Sequence, residues 1–172
     1  MAGSYQQPRR QVLQRMGQVL HAHQRSGIEC MHHPAWPQKG SQGQRAHGLG
    51  VMPRLSRLYW YTVEFGLVRA ADGLRIYGAG IVSSRTESIF ALDDASPNRL
   101  GFDLRRVMRT HYRIDDFQQT YFVIDSFEDL LEQTLHTDFG PLYAELAGTP
   151  DLPPPTVLPT DRVDWRGTQR HG

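Results

Sequence analysis

Residues 48–147 should fold as a mainly α-helical domain with a few short β-strands. Three features lead there. Apolar side chains at Leu55, Leu58, Tyr59, Thr62, Val63 and Leu67 recur at helical spacing. Ser84 and Ser126 each stand three residues before an acid, Glu87 and Asp129, the pattern of a helix-capping box. One stretch, "QTYFVIDS", mixes aromatic and β-branched residues densely enough to be the best strand in the chain.

Taken in order, the spacing predicts a helix over 53–69, with Pro53 accommodated near its first turn. The aromatic and β-branched content of that stretch also keeps a strand reading open. "AADG" at 70–73 is a turn signal. "LRIYGAGIVSS" then reads as a short strand entering a glycine-rich turn, where Gly78 and Gly80 suit close backbone approach. The Ser84 cap predicts a helix over "SRTESIFALDD". Residues 95–118 look irregular, with one helical turn at "LRRVMR". After "QTYFVIDS", Ser126 starts an amphipathic helix with Leu130, Leu131 and Leu135 on its buried side, which Pro141 should break. Residues 148–172 are proline-rich and polar, an extended tail.

The N-terminal segment is of another kind. Residues 1–50 hold one acid, Glu29, against six bases, a balance of +5 that the remaining 13 bases and 17 acids offset to a net +1. This stretch is rich in Gln, His and Gly and shows no sustained period, so residues 1–47 read as a basic leader of low order.

Several function classes drop out. No stretch approaches the roughly 20 apolar residues that span a bilayer, and the N-terminus lacks the apolar core of a secretory signal. The expectation is a cytoplasmic protein with no membrane partner. The single cysteine, Cys30, excludes a disulfide framework and a CxxC zinc site, and in the leader it has no fixed base to activate it. His21, His23, His32, His33 and His47 match neither the C2H2 nor the HExxH spacing. The leader's scattered bases lack the stripe that tracks phosphates, so no nucleic-acid partner is expected. "YGAG" lacks GxGxxG spacing, and no GxxxxGK[ST] loop exists.

"YWYTVEFG" at 59–66 sets one carboxylate, Glu64, among apolar neighbours. A buried carboxylate must be paired, protonated or metal-bound. Two readings fit the spacing: a salt bridge to Arg57 or a place on the helix surface, and a ligand or catalytic role.

"RLYWYTVEFGL", "YGAGIVSS", a glutamate four residues beyond Ser83 and "FQQTYFVIDSFEDL" together resemble the pterin-dependent aromatic amino acid hydroxylases, nearest the bacterial phenylalanine 4-monooxygenases. The resemblance covers residues 48–147 and would make them the C-terminal half of that family's catalytic domain. It implies a mononuclear Fe(II) held by two histidines and a glutamate, the face that leaves positions open for dioxygen. It implies phenylalanine, dioxygen and a tetrahydropterin as the small-molecule partners, and a monomer. Glu64 would be the third iron ligand. Tyr59 matches the tyrosine beside iron and pterin. Trp60, Phe65, Gly80 and Ser83 match positions that line or support the amino-acid pocket, and for Trp60 and Phe65 plain core packing stands beside that reading. Glu87 matches a residue that buttresses the pocket, and Tyr121 a position near its mouth.

The two histidines belong to an "HDxxGHVP" string that does not occur here. One carboxylate alone is a poor iron site, so the chain as written is expected to be truncated and weakly active or inactive. The change of composition at 46–50 suggests translation in a different frame upstream, which reading the upstream nucleotides in the other two frames would test. The alternative is a non-enzymatic binding or regulatory remnant that contacts a partner through its basic leader, with salt-sensitive association as its mark.

Overall fold

The computed structural model describes residues 53–168, besides Gln14 alone. The rest of the leader, with Cys30 and its five histidines, thus lies outside the described residues. Helix α1 runs over 53–59 and passes into a π-helical turn, Trp60–Glu64. A hairpin follows, β1 (Leu67–Ala70) and β2 (Gly73–Ile76), then α2 (Ala79–Ser83) and α3 (Arg85–Asp93). Next come β3 (Asn98–Gly101), α4 (Leu104–Arg109), β4 (Thr120–Ile124), α5 (Phe127–Leu135), α6 (Phe139–Ala147) and β5 (Val163–Trp165). The strands form one five-stranded sheet in the order β2-β1-β4-β3-β5. β4 runs parallel to both β1 and β3, while β1–β2 and β3–β5 are antiparallel.

The expected mainly helical domain is therefore corrected to a mixed α/β one. The strands have three to five residues each, too short to show a period, and β3 and β5 carry Asn, Arg, Gly and Asp. The predicted helix over 53–69 gives way to β1 at Leu67, where Leu67 and Val68 pair with Val123 and Ile124. Pro141 does not break the helix that Ser126 starts. That helix ends at Leu135, and Pro141 sits in the first turn of α6, where a proline leaves no helical bond unmade. Both serine caps form: Ser84 Oγ accepts from Glu87 N at 3.2 Å and Ser126 Oγ from Asp129 N at 3.0 Å.

β4 divides the core. Its side chains alternate across the sheet, so Phe122 and Ile124 join one apolar cluster while Tyr121 and Val123 join another. The first cluster packs α1, α4, α5 and α6 through Leu55, Leu58, Val107, Leu130, Phe139 and Leu142. The second holds Phe65, Ile81 and Ala91, with Trp60 packed against it.

Two buried arginines tie α1 to the ends of α4 and α6. Arg54 donates to Leu146 O at 2.7 Å, and Arg57 donates to Met108 O at 3.1 Å and to Asp151 Oδ2 at 2.7 Å. Helix C-terminal carbonyls carry partial negative charge, so cations suit them. The hydrogen bond from Arg57 holds the Asp151 carboxyl below its usual range. A depressed folded pKa gives stability that is present above the unfolded value, about 3.9, and is lost as pH falls through the folded one. The urea midpoint should therefore drop as the pH is taken below about 4. Asp151→Asn should flatten that acid limb and lower the midpoint at pH 7; an unchanged acid limb in the variant would show that Asp151 does not drive it.

Candidate functional site

The site begins with the way α1 ends. Phe65 N donates to Trp60 O at 2.8 Å, five residues back, which closes the π turn. Thr62, fully buried, turns its hydroxyl back onto Leu58 O at 2.6 Å. The turn leaves Tyr59, Trp60, Glu64 and Phe65 together at the helix end.

Glu64 is half-buried. Its Oε1 accepts a hydrogen bond from the Tyr59 hydroxyl at 3.0 Å. Partial burial and the neighbouring Glu64 carboxylate push the Tyr59 phenol upward, so it stays a proton donor at neutral pH. The Arg57 salt bridge that spacing allowed is not formed, since Arg57 is engaged by Met108 O and Asp151. Glu64 is thus a carboxylate whose side-chain partner is a phenol rather than a cation.

Glycines let the α2 segment close on this carboxylate. A Cβ at Gly80 would stand 3.0 Å from Glu64 Oε2 and 3.2 Å from Phe65 Cε1. A Cβ at Gly78 would stand 2.3 Å from Glu64 O. Gly80 therefore faces the carboxylate tip, while Gly78 lies against the backbone that carries it. Ser83, exposed, donates to Gly80 O at 2.7 Å and fastens the same turn.

The aromatic wall is a set of near-parallel rings. Trp60 stacks with Phe65 at 5.4 Å and 26°, and with Tyr112 at 5.2 Å and 22°. Tyr59 meets Trp60 edge-on at 6.2 Å and 89°. Behind this wall Tyr121 is fully buried, and its hydroxyl donates to Glu87 Oε1 at 3.0 Å. Burial pushes the Glu87 carboxyl upward and the Tyr121 bond pulls it partly back. Glu87 thus gives its backbone amide to the Ser84 cap of α3 and braces β4 through its side chain.

The structure brings Tyr59, Trp60, Glu64, Phe65 and Gly80 into one contiguous site, with Ser83 supporting its edge. Glu87 and Tyr121 form a separate buried pair in the same apolar cluster as Phe65. One member was read in part from the sequence and one escaped it. Gly78 was visible as a glycine, but nothing in "YGAG" says which one meets backbone and which meets side chain. Tyr112 lies 52 positions from Trp60 in a stretch without period, so no local signal marks it.

Among the described residues, no three His, Cys, Asp or Glu side chains gather as a metal-holding group. Glu64 offers a carboxylate oxygen, and no histidine among the described residues joins it in such a group. No helix of the described residues is long and apolar enough to cross a membrane.

The family model described as biopterin-dependent aromatic amino acid hydroxylase matches residues 48–139. The phenylalanine-4-hydroxylase of Caulobacter vibrioides is 65% identical over 132 residues, covering 77% of this chain and 45% of the relative. That of Ralstonia nicotianae is 58% identical over 130 residues, covering 76% and 41%. The iron- and phenylalanine-bound crystal structure of phenylalanine hydroxylase from Chromobacterium violaceum superposes with a TM-score of 0.65 at 54% identity, over 70% of this chain and 48% of that one. The chain spans less than half the length of the relatives it matches.

Proposed function

The chain belongs to the biopterin-dependent aromatic amino acid hydroxylase family, and on that premise we propose that it carries the carboxylate-and-aromatic half of a phenylalanine 4-monooxygenase site. The observation that carries the reading is the Glu64 carboxylate, held by the Tyr59 hydroxyl at 3.0 Å on the rim of an aromatic wall. Glu64 would be one ligand to Fe(II), with Oε2 facing Gly80. Iron with a tetrahydropterin would supply the oxygen-activating chemistry that turns phenylalanine into tyrosine. Tyr59 orients the carboxylate by donating to Oε1. Trp60 and Phe65 present ring surface to an aromatic side chain, Gly80 and Ser83 shape its edge, and Glu87 with Tyr121 braces the strand behind. Phenylalanine, dioxygen and a reduced pterin are the partners on this reading, and the chain acts as a monomer.

Iron needs two further ligands on this reading, and the sequence holds no "HDxxGHVP" string to provide them. One carboxylate leaves the ion mostly hydrated. The chain on its own should therefore be weakly active or inactive. A chimera in which residues 48–168 replace the matched segment of the Caulobacter vibrioides relative tests the site directly. It should form tyrosine from phenylalanine, and Glu64→Gln within it should lower the rate more than roughly 100-fold, because even groups behind a metal ligand change activity 10–100-fold. A folded, iron-loaded chimera without tyrosine formation, or a Glu64→Gln chimera at full rate, would overturn the assignment.

A further inference from the structure

We infer that Tyr112 is a positioning residue that sets the plane of Trp60 for an aromatic amino acid, an inference that rests on the pocket reading of Trp60 and Phe65. Trp60 is only half-buried, so packing alone leaves its indole room to move. Phe65 stacks with it from the same helix end and fixes it to the second core cluster, of which Phe65 is a buried member. Tyr112 comes from a different segment, the stretch between α4 and β4, and its ring stacks with the indole at 5.2 Å and 22°. Among the described residues, Tyr112 is the ring partner of the indole that comes from outside its own helix end, and it ties the indole to the other core cluster.

The segment that carries Tyr112 is fastened on both sides of it. The Tyr61 hydroxyl, in a fully buried side chain, donates to His111 O at 2.6 Å. Gln118, 1% exposed, accepts from Arg113 N at 3.0 Å and donates to Arg113 O at 2.6 Å. Residues 111 and 113 are therefore both pinned by buried side chains, and residue 112 is held between them. Neighbours on one segment meet neighbours on the other: Trp60 meets Tyr112 by ring contact, and Tyr61 meets His111 by a hydrogen bond. Tyr112 packs against the apolar cluster of α4, α5 and α6, whereas Trp60 packs against that of α2 and α3. The stack thus transmits the position of one half of the core to the pocket wall of the other. A wall fixed before the ligand arrives spares the ordering that would otherwise weaken binding.

The test uses the full chain with Trp36→Phe and Trp165→Phe, so that Trp60 is the sole tryptophan and its emission reports L-phenylalanine added alone. Tyr112→Phe keeps the ring and should leave the phenylalanine Kd within about twofold, while Tyr112→Leu should raise it roughly three- to tenfold, the range set by a lost stacked pair. Tyr61→Phe leaves Tyr112 intact but releases His111 O, and should raise Kd by an intermediate factor. This second variant decides the matter if Tyr112→Leu fails to fold. Equal Kd values for Leu, Phe and Tyr at position 112, or for Tyr61→Phe and its parent where Leu does not fold, overturn the role of Tyr112 and leave the pocket standing. No phenylalanine-dependent change in the parent reporter at any soluble concentration overturns this inference, whereas the pocket reading stands or falls with tyrosine formation by the chimera.

Discussion

Asp161→Ala should lower the stability of the described domain by about 3–5 kcal/mol, the size expected when one partner of a buried ion pair is removed. Arg106 and Asp161 are each 5% exposed at the side chain, and Arg106 Nε donates to Asp161 Oδ1 at 2.9 Å. The guanidinium also donates to Thr110 Oγ1 at 2.5 Å and to Thr156 O at 2.5 Å, and it lies 5.7 Å from the Phe122 ring centroid. Asp161 Oδ2 in turn accepts from Leu158 N at 2.8 Å. One ion pair thus holds the segment after α6 against α4. Removing the carboxylate leaves a buried guanidinium without its charge partner. Urea unfolding measures the loss. The paired replacement Arg106→Met with Asp161→Leu should recover part of it, because neither charge then remains buried. A loss below about 1 kcal/mol for Asp161→Ala would mean the pair behaves as a surface one.

Gly78→Ala should cost about 2 kcal/mol or more, within the range of overpacked sites, and should disable the chimera besides. The added methyl would stand 2.3 Å from Glu64 O and 2.5 Å from Gly66 N, both backbone atoms that cannot swing aside. Either the α2 segment or the end of α1 must shift, and Glu64 shifts with it. Gly80→Ala is the informative contrast. Its methyl meets Glu64 Oε2 at 3.0 Å, the tip of a side chain that can rotate, and stands 3.2 Å from Glu64 O, nearly an ångström farther from that backbone atom than the methyl at position 78. It should cost under about 1 kcal/mol, as exposed or yielding positions do, while still lowering the chimera's tyrosine formation by displacing the carboxylate. Urea midpoints and rates on the same pair of variants separate the two effects. Equal behaviour at both positions would refute the distinction between backbone and side-chain contact.

What could be read from the sequence was local chemistry. The Ser84 and Ser126 caps, the turn at 70–73 and the strand read in "QTYFVIDS" all rest on neighbours within a few residues, and all formed, the strand over Thr120–Ile124. What stayed hidden depends on distant partners. β3 is a strand because "NRLG" lies between β4 and β5, and all four of its residues are buried despite an Asn and an Arg. Arg99 accepts that burial by donating to Ala91 O at 2.7 Å and Asp94 O at 2.8 Å, bonds that no spacing rule foretells. β1 left the predicted helix because Leu67 and Val68 found a parallel partner more than fifty residues away. The candidate site divides in the same way. The motif around Glu64 was legible because its members share one helix end, but Tyr112 and the unequal duties of Gly78 and Gly80 exist only once the chain has closed.

The strand order has a consequence in time. The hairpin of β1 and β2 can zip early, since its partners are neighbours in the chain. β4 joins β1 only across a long loop, Leu67 lying opposite Val123, and β5 joins β3 across a longer one, Trp165 lying opposite Arg99. Closing such long loops before their contacts reward the closure slows assembly. During that interval "TYFVI", buried at every position in the finished domain, is an exposed apolar edge. The central strand that unites the two halves of the core is also the segment through which two unfinished chains would first find each other.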